Sequence, residues 1–163
     1  MKRLLRILPE NVTANVLLRY FGFFKIPLLF FVRPSVVELS ESKVVVRIPL
    51  RRRTRNHLRS MYIGAMVVGA DVAAGLMAMT LIQKSSHNVS LIFKGMDAEF
   101  FKLAQGDTYF TCDQGREISE LVTAAIASTE RVESPVHVIA TVPEKLGDEQ
   151  VARFTMVLSL KKK

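Results

Sequence analysis

The stretch Asn56-His57-Leu58-Arg59-Ser60-Met61-Tyr62-Ile63-Gly64-Ala65-Met66-Val67-Val68-Gly69-Ala70-Asp71-Val72-Ala73-Ala74-Gly75 decides how the rest of the chain is read. It opens on polar and basic residues and runs into an apolar segment, Met61 to Ile82, whose only charged member is Asp71. That segment matches the roughly 20 residues a membrane-crossing helix needs, and the arginines before it would suit a positive-inside orientation. Two features favour enclosure in a globular core instead. A carboxylate at mid-segment costs roughly 2.5–3.5 kcal/mol on insertion scales. Everything after Gln83 reads as amphipathic strands, and strands with one apolar face need a surface to cover. Gly64, Ala65, Gly69, Ala70, Ala73, Ala74, Gly75 and Ala78 keep the helix thin enough to be wrapped by a sheet.

Working outward, Val36–Leu39 and Val44–Leu50 read as two strands around the polar turn Ser40-Glu41-Ser42-Lys43, with Val44, Val46, Ile48 and Leu50 on one face by the two-residue period. Val89–Ala104 reads as a long strand kinked at Gly95, turning at Gln105-Gly106-Asp107 into Thr108–Cys112. Asp113 is the expected N-cap of a helix carrying Ile118, Leu121, Val122, Ala125 and Ile126. Alternation at Val136, Val138, Ala140 and Val142, then from Ala152 to Leu160, closes the chain with two strands around a turn near Lys145–Asp148. Before these elements, residues 11–32 carry Ala14, Leu17, Leu18, Phe21 and Phe24 at helical spacing, broken at Lys25 and Pro27. The chain therefore reads as an α+β protein with antiparallel pairing: a helical extension over residues 1–34 and one domain over 35–163.

Composition narrows the classes. At 163 residues, 49 % of them apolar and 23 % charged, the chain suits one domain with a full core. Cys112 is the only cysteine, so no intrachain disulfide forms, and a strand position makes it an inert core thiol. His57, His87 and His137 lie far apart and form no metal-ligand spacing with it. The start Met-Lys-Arg-Leu-Leu-Arg has a signal-like opening, but Arg6, Pro9 and Glu10 break it, and a cytoplasmic location is expected. The net charge of +8 concentrates at Arg51, Arg52, Arg53, Arg55 and Arg59, with Lys161–Lys163 as a solvated basic tail. Such a balance favours polyanionic partners: nucleic acid, an anionic membrane face, or a nucleotide-tailed metabolite. No aromatic residue is interleaved with the arginine run, so a nucleic-acid stacking platform is not expected. The stretch over residues 11–32 is too interrupted for stable membrane insertion, though an amphipathic helix there could lie on a membrane or a partner surface.

Asn56, Ser60, Gly64-Ala65 and Asp71 resemble the signature of hotdog-fold acyl-CoA thioesterases related to the phenylacetate-pathway hydrolases. In those proteins an asparagine precedes a glycine-containing turn, Thr or Ser, a histidine, Gly-Ala or Gly-Gly, and an acid seven residues beyond that glycine. An uncharacterised hotdog subfamily with Asn-His, Ser-Met-Tyr and an Asp-Val-Ala-Ala-Gly-like stretch is more similar still. The resemblance covers most of the chain and implies a hotdog fold, in which a curved antiparallel sheet wraps a long central helix, here with an additional N-terminal helix. It also implies a homodimer, or a tetramer of two such pairs, with acyl-CoA or a related thioester as substrate and no cofactor or metal. Two positions depart from the pattern: Arg59 stands where the hydrolases carry glycine, and Tyr62 where they carry histidine.

Thioester hydrolysis needs a polarised carbonyl and a delivered water. Free amides at a helix start, near Gly64, suit the first need, and the absent β-carbon leaves room for an acyl group. Asp71 in apolar surroundings suits the second as a general base, or as a nucleophile through a mixed anhydride. Seven residues separate the two, roughly 10 Å along a helix, too far for both to act on one carbonyl. Two antiparallel helices paired across a dimer would bring Gly64 of one chain to Asp71 of the other. In this reading Asn56 and Tyr62 position substrate, and Arg53, Arg55, Arg59 and Ser60 line the binding site, with guanidinium groups matched to coenzyme A phosphates. Plainer roles stand beside these: Asp71 as a buried carboxylate bonded to backbone, Tyr62 or Asn56; Gly64 small for packing alone; Asn56 as a local cap. The functional alternatives are thus a hydrolase and a non-catalytic module that binds acyl-CoA or a fatty acyl chain.

Overall fold

A computed structural model describes residues 10–163; the signal-like opening and the first part of the 1–34 extension lie outside the described residues. In chain order the elements are α1 (Glu10–Phe24), α2 (Pro27–Val32), β1 (Ser35–Leu39), β2 (Val44–Ile48), α3 (Ile63–Lys84), β3 (Val89–Phe100), β4 (Thr108–Cys112), α4 (Gly115–Ala127), β5 (Val132–Thr141), α5 (Pro143–Leu146) and β6 (Gln150–Lys162). The six strands form one antiparallel sheet in the order β1-β2-β4-β5-β6-β3. The sheet curls around α3, which touches β2, β3, β4, β5 and β6, while α4 packs against another part of it. This is the hotdog architecture.

Small residues make the enclosure possible. Ala70, Ala73, Ala74 and Ala78 of α3 are fully buried, and most of the large buried side chains come from the sheet: Val44, Val46 and Ile48 of β2, Phe110 of β4, Val136 and Val138 of β5, Phe154 and Leu158 of β6, joined by Met77 of α3 and Ile118 of α4. Alternation in the strands thus meets a helix that is small at these positions, with Met66, Val72 and Met77 among its bulkier buried members. Gly69 is the tightest point: a Cβ there would lie 2.3–2.6 Å from the Phe110 ring, and that ring is itself held against Phe154 at 6.2 Å between centroids. By length and composition α3 could span a bilayer, yet 61 % of its most apolar window is buried within the fold.

Boundaries differ from the sequence reading where a specific bond intervenes. β2 stops at Ile48 rather than Leu50, because Pro49 has no N–H for the ladder and the Leu50 N–H donates to Asp107 Oδ1 at 2.8 Å. β3 stops at Phe100 rather than Ala104, because the Phe101 and Lys102 N–H groups both turn to Val151 O. The kink at Gly95 is real: the β3–β6 register shifts between Phe93 and Gly95 as a bulge. Asp113 does not cap α4. The helix starts at Gly115 with Gln114 in the cap position, and the Gln114 Oε1 accepts the His137 N–H. Gly115 lies so close to the β1–β2 turn that a Cβ would strike Glu41 O, which fixes where the helix can begin. The turn expected near Lys145–Asp148 overlaps the one-turn α5, which ends at Leu146 with Gly147 as its C-cap.

The two sheet edges are treated differently. At the β1 edge, the Asn15 side chain of α1 donates through Nδ2 to Val36 O and accepts the Val36 N–H on Oδ1, both at 2.8 Å, and so pairs both backbone groups of that residue. The β3 edge has no such cover among the described residues. It is 12 residues long and exposes Ile92, Met96 and Phe100.

The packing of α3 gives a paired test. Gly69→Ala overpacks against Phe110 and is expected to lower unfolding free energy by about 1–3 kcal/mol. Gly75→Ala meets only ordinary contact with Phe93 at 3.7 Å and is expected to be neutral or stabilising, by up to about 1 kcal/mol from helix propensity. Urea denaturation of the two variants beside wild type measures both; equal effects would contradict this account of the core.

Candidate active site

The segment between β2 and α3 is a loop held by its own polar groups. Thr54, only 1 % exposed, is its hub. Its Oγ1 donates to Pro49 O at 2.7 Å and accepts the Arg51 N–H at 2.9 Å, and its carbonyl accepts the Tyr62 N–H at 2.8 Å. Asn56 closes the tip: its Oδ1 accepts the Leu58 and Ser60 N–H groups, its Nδ2 donates to the buried Ser60 Oγ at 2.9 Å, and its own N–H donates to Ser60 O. Asn56 and Ser60 therefore act first as the turn's internal fastening, the local role Asn performs well. The Met61 N–H is tied to Ala104 O, so the loop after β3 anchors the helix start.

Arg59 has φ +61°, the left-handed region. That region penalises a β-carbon by roughly 1–2 kcal/mol, which is the physical reason a glycine suits this turn position and why arginine there is a departure. The side chain is exposed at the turn tip beside exposed His57 and Leu58.

At the start of α3, Tyr62 takes the cap position with extended backbone (φ −68°, ψ +138°) and no side-chain cap bond. The Ala65 and Met66 N–H groups return to Tyr62 O, whereas those of Ile63 and Gly64 have no acceptor among the described residues. Two donors at the positive end of a 22-residue helix are thus open to an incoming oxygen. The Tyr62 ring folds back over Gly64: a Cβ there would lie 2.7 Å from its Cε1. Since Tyr62 is 55 % exposed, that ring can swing away, but in this protomer it occupies the space the missing β-carbon leaves.

Asp71 lies two turns along the same helix, roughly 10 Å from Gly64 by helical rise. Gly64, Val67 and Asp71, at i, i+3 and i+7, form a half-buried stripe that the protomer's own sheet leaves uncovered, so the wrapping of α3 is incomplete on this face. The Asp71 carboxylate forms no hydrogen bond or ion pair with any described residue, and in particular none with Tyr62 or Asn56. Burial pushes its pKa above the ordinary carboxylate value. A desolvated acid without a partner is costly for structure alone and chemically useful as a base.

The structure thus gathers Asn56, Ser60, Tyr62 and Gly64 at one helix start and leaves Asp71 apart. Of the arginines, Arg53 turns toward α2, donating Nη1 to Phe31 O at 3.1 Å and stacking over the Phe31 ring at 5.5 Å, whereas Arg55 and Arg59 project from the loop. Sequence reasoning missed Thr54, Ala104 and the Tyr62–Gly64 stacking, since each depends on contacts across the loop. Burial pushes the Cys112 thiol up to about 11, so it stays protonated and unreactive at neutral pH. Among the described residues no group of three His, Cys, Asp or Glu could hold a metal.

A family model described as "Domain of unknown function (DUF4442)" matches residues 14–159. Solved structures share the fold. A Pseudomonas aeruginosa protein of unknown function, described as a probable thioesterase, is 24 % identical with a TM-score of 0.76, over 96 % of this chain and 97 % of its own. A Chlorobaculum tepidum protein of unknown function is 11 % identical with a TM-score of 0.80, over 94 % and 97 %. A thioesterase from Haemophilus influenzae is 10 % identical with a TM-score of 0.70, over 95 % and 92 %. No curated protein matches the chain.

The strained turn supplies a second test. Arg59→Gly is expected to be neutral or stabilising by up to about 1 kcal/mol, while Arg59→Val, β-branched at positive φ, should cost about 1–3 kcal/mol. Thermal melts of both variants check this; a harmless valine would mean the turn does not hold the left-handed geometry.

Proposed function

The chain belongs to the DUF4442 family, and from that premise we propose that it hydrolyses acyl-CoA or a related acyl thioester at a site completed by a second copy of itself. One observation carries the reading: Asp71 is half-buried, raised in pKa and unpartnered, on a stripe with Gly64 that the protomer leaves open. Antiparallel pairing of two α3 helices would cover that stripe and bring the free Ile63 and Gly64 amides of one chain near Asp71 of the other. The uncovered β3 edge supports the same pairing, since an exposed 12-residue strand with apolar side chains invites another strand.

In such a site the open amides receive the thioester carbonyl oxygen and stabilise the oxyanion as the tetrahedral intermediate forms. Asp71, as carboxylate, takes a proton from a water that attacks the carbonyl carbon. The C–S bond then breaks, the departing sulfur takes up the proton Asp71 holds, and the carboxylic acid and the free thiol are the products. Tyr62 must lift from Gly64 for the acyl group to enter, and its hydroxyl then lies where it can orient substrate. Asn56 and Ser60 keep the loop rigid. Arg55 and Arg59, with the donors Arg53 has left after bonding Phe31, meet the phosphates of the coenzyme. Location in the cytoplasm, where acyl-CoA is available, belongs to the same proposal.

The test is hydrolysis of an acyl-CoA series by wild type and Asp71→Asn. Loss of about 10²–10⁴-fold in kcat/KM is expected, and undiminished turnover would remove Asp71 as the base. Because the base must be ionised and burial raises its pKa, activity should climb with pH along a limb lying above the ordinary carboxylate range, and Asp71→Asn should flatten it. Composite sites predict complementation. Asp71→Asn and Gly64→Val, each inactive alone, should recover about a quarter of wild-type activity when co-refolded, since half the dimers then hold one intact site.

A second reading has its own observation: the Tyr62 ring, where the hydrolases that the motif resembles carry histidine, closes over Gly64 and brings no base. A module that binds acyl-CoA without turnover would show ligand-dependent thermal stabilisation and no product across the same series.

A further inference from the structure

α1 is apolar on both sides. Its inner face, with Ala14, Leu18 and Gly22, packs toward β1 and α2, and Asn15 bonds Val36. Val16, Leu17, Tyr20, Phe23 and Phe24 fall on the opposite side by helical spacing, and each is 49–62 % exposed. α2 and the bend before it continue the surface with Ile26, Leu28, Phe30 and Phe31, all at least 38 % exposed. Five of the chain's ten phenylalanines lie between residues 21 and 31, and their rings gather outside the core: Phe23 meets Phe24 at 4.9 Å and Phe30 at 5.2 Å, and Tyr20 meets Phe24 at 4.6 Å. A protein surface does not carry this many clustered aromatics without something to cover them.

The charge around the patch identifies the cover. Residues 11–37 and 42–70 contain no acid and hold ten Lys and Arg, of which Lys43 and Arg47 are ion-paired, with Glu38 and Asp107. Arg51, Arg52 and Arg53 share an open concavity of about 530 Å³ with Phe31, and Arg53 stacks on that ring. Arg19 is held below its ordinary pKa, first by burial and then by Arg33 beside it, so two cations adjoin with no carboxylate between them. Arg19, Lys25, Arg33, Arg51, Arg52 and Arg53 form no ion pair among the described residues. Exposed phenylalanine, leucine and tyrosine bordered by unpaired arginine and lysine are what an acyl-chain boundary beneath anionic headgroups accommodates. A protein partner would need both an aromatic-lined cleft and an acidic rim of matching outline.

We propose that α1 and α2 dock the protein reversibly on the surface of an anionic phospholipid bilayer, with Leu17, Tyr20, Phe23, Phe24 and Phe30 entering the interface and Arg51 and Arg52 meeting lipid phosphates. α3 remains in the core, so the protein lies on the membrane and does not span it. The proposal is independent of whether the α3 site hydrolyses thioesters.

The full chain is sedimented with vesicles of phosphatidylcholine alone, and of phosphatidylcholine mixed equally with phosphatidylglycerol, at low and high salt. Binding is expected to the anionic vesicles, weakly or not at all to the neutral ones, and to fall as salt screens the arginines. Arg51→Glu/Arg52→Glu should lower partitioning about tenfold or more, as should Phe23→Ser/Phe24→Ser. Unchanged circular dichroism and thermal midpoint confirm that these exposed changes leave the fold intact. Absence of binding to anionic vesicles, or binding indifferent to both variants, overturns the proposal. So does light scattering that shows an assembly dissolved by Phe23→Ser/Phe24→Ser with no vesicle binding, which would make the patch an interface between copies of the chain.

Discussion

The fold depends on how closely one helix can approach the sheet that curls around it. α3 brings alanine and glycine where most core helices bring leucine, and the sheet fills the space with Phe110, Phe154 and its buried valines. At Gly69 the Phe110 ring fills the very place a β-carbon would occupy. Because apolar burial scales with area while steric overlap rises steeply, a helix enclosed on several sides must be slender before it can be hydrophobic. The same slenderness makes the segment look like a membrane span when its hydropathy is read alone.

Enclosure is incomplete where chemistry is possible. The Gly64–Val67–Asp71 stripe is half-buried, and among the described residues two amides at the helix start find no acceptor and the Asp71 carboxylate no partner. The sheet shows an asymmetry as well: Asn15 pairs Val36 at one edge, whereas β3 has no such cover among the described residues. One edge is thus partly covered and the other open, and the acid of the central helix lies on a face that the sheet does not cover. The proposal of a shared site rests on that exposure more than on any single residue. The aromatic surface of α1 and α2 is a separate exposure on the opposite, partly covered edge.

Much of the architecture was legible because two periods differ so clearly. Alternation at Val44, Val46 and Ile48, or at Val136, Val138 and Ala140, marks half-buried strands, and an unbroken small-residue run marks the wrapped helix. The ends of elements were less legible. β2 ends because Asp107 takes the Leu50 amide, and α4 begins at Gly115 because Glu41 is in the way. Such partners are distant in sequence and leave no local mark. At the site, the Asn56 turn was visible as a polar cap, but Thr54 as its hub was hidden within an arginine run that draws attention for its charge.

Local chemistry therefore settled what each segment could become: strand, slender helix, polar turn, aromatic helix. It also located the lone acid and the glycine seven residues before it, since helical rise fixes their separation regardless of context. Only the tertiary structure decided what those groups face. Whether Asp71 is paired, whether Tyr62 lies over Gly64, and which arginine is drawn to α2 depend on contacts between segments far apart in the chain. Those contacts are set by packing and by the hydrogen-bond needs of buried backbone, neither of which a single stretch of sequence contains.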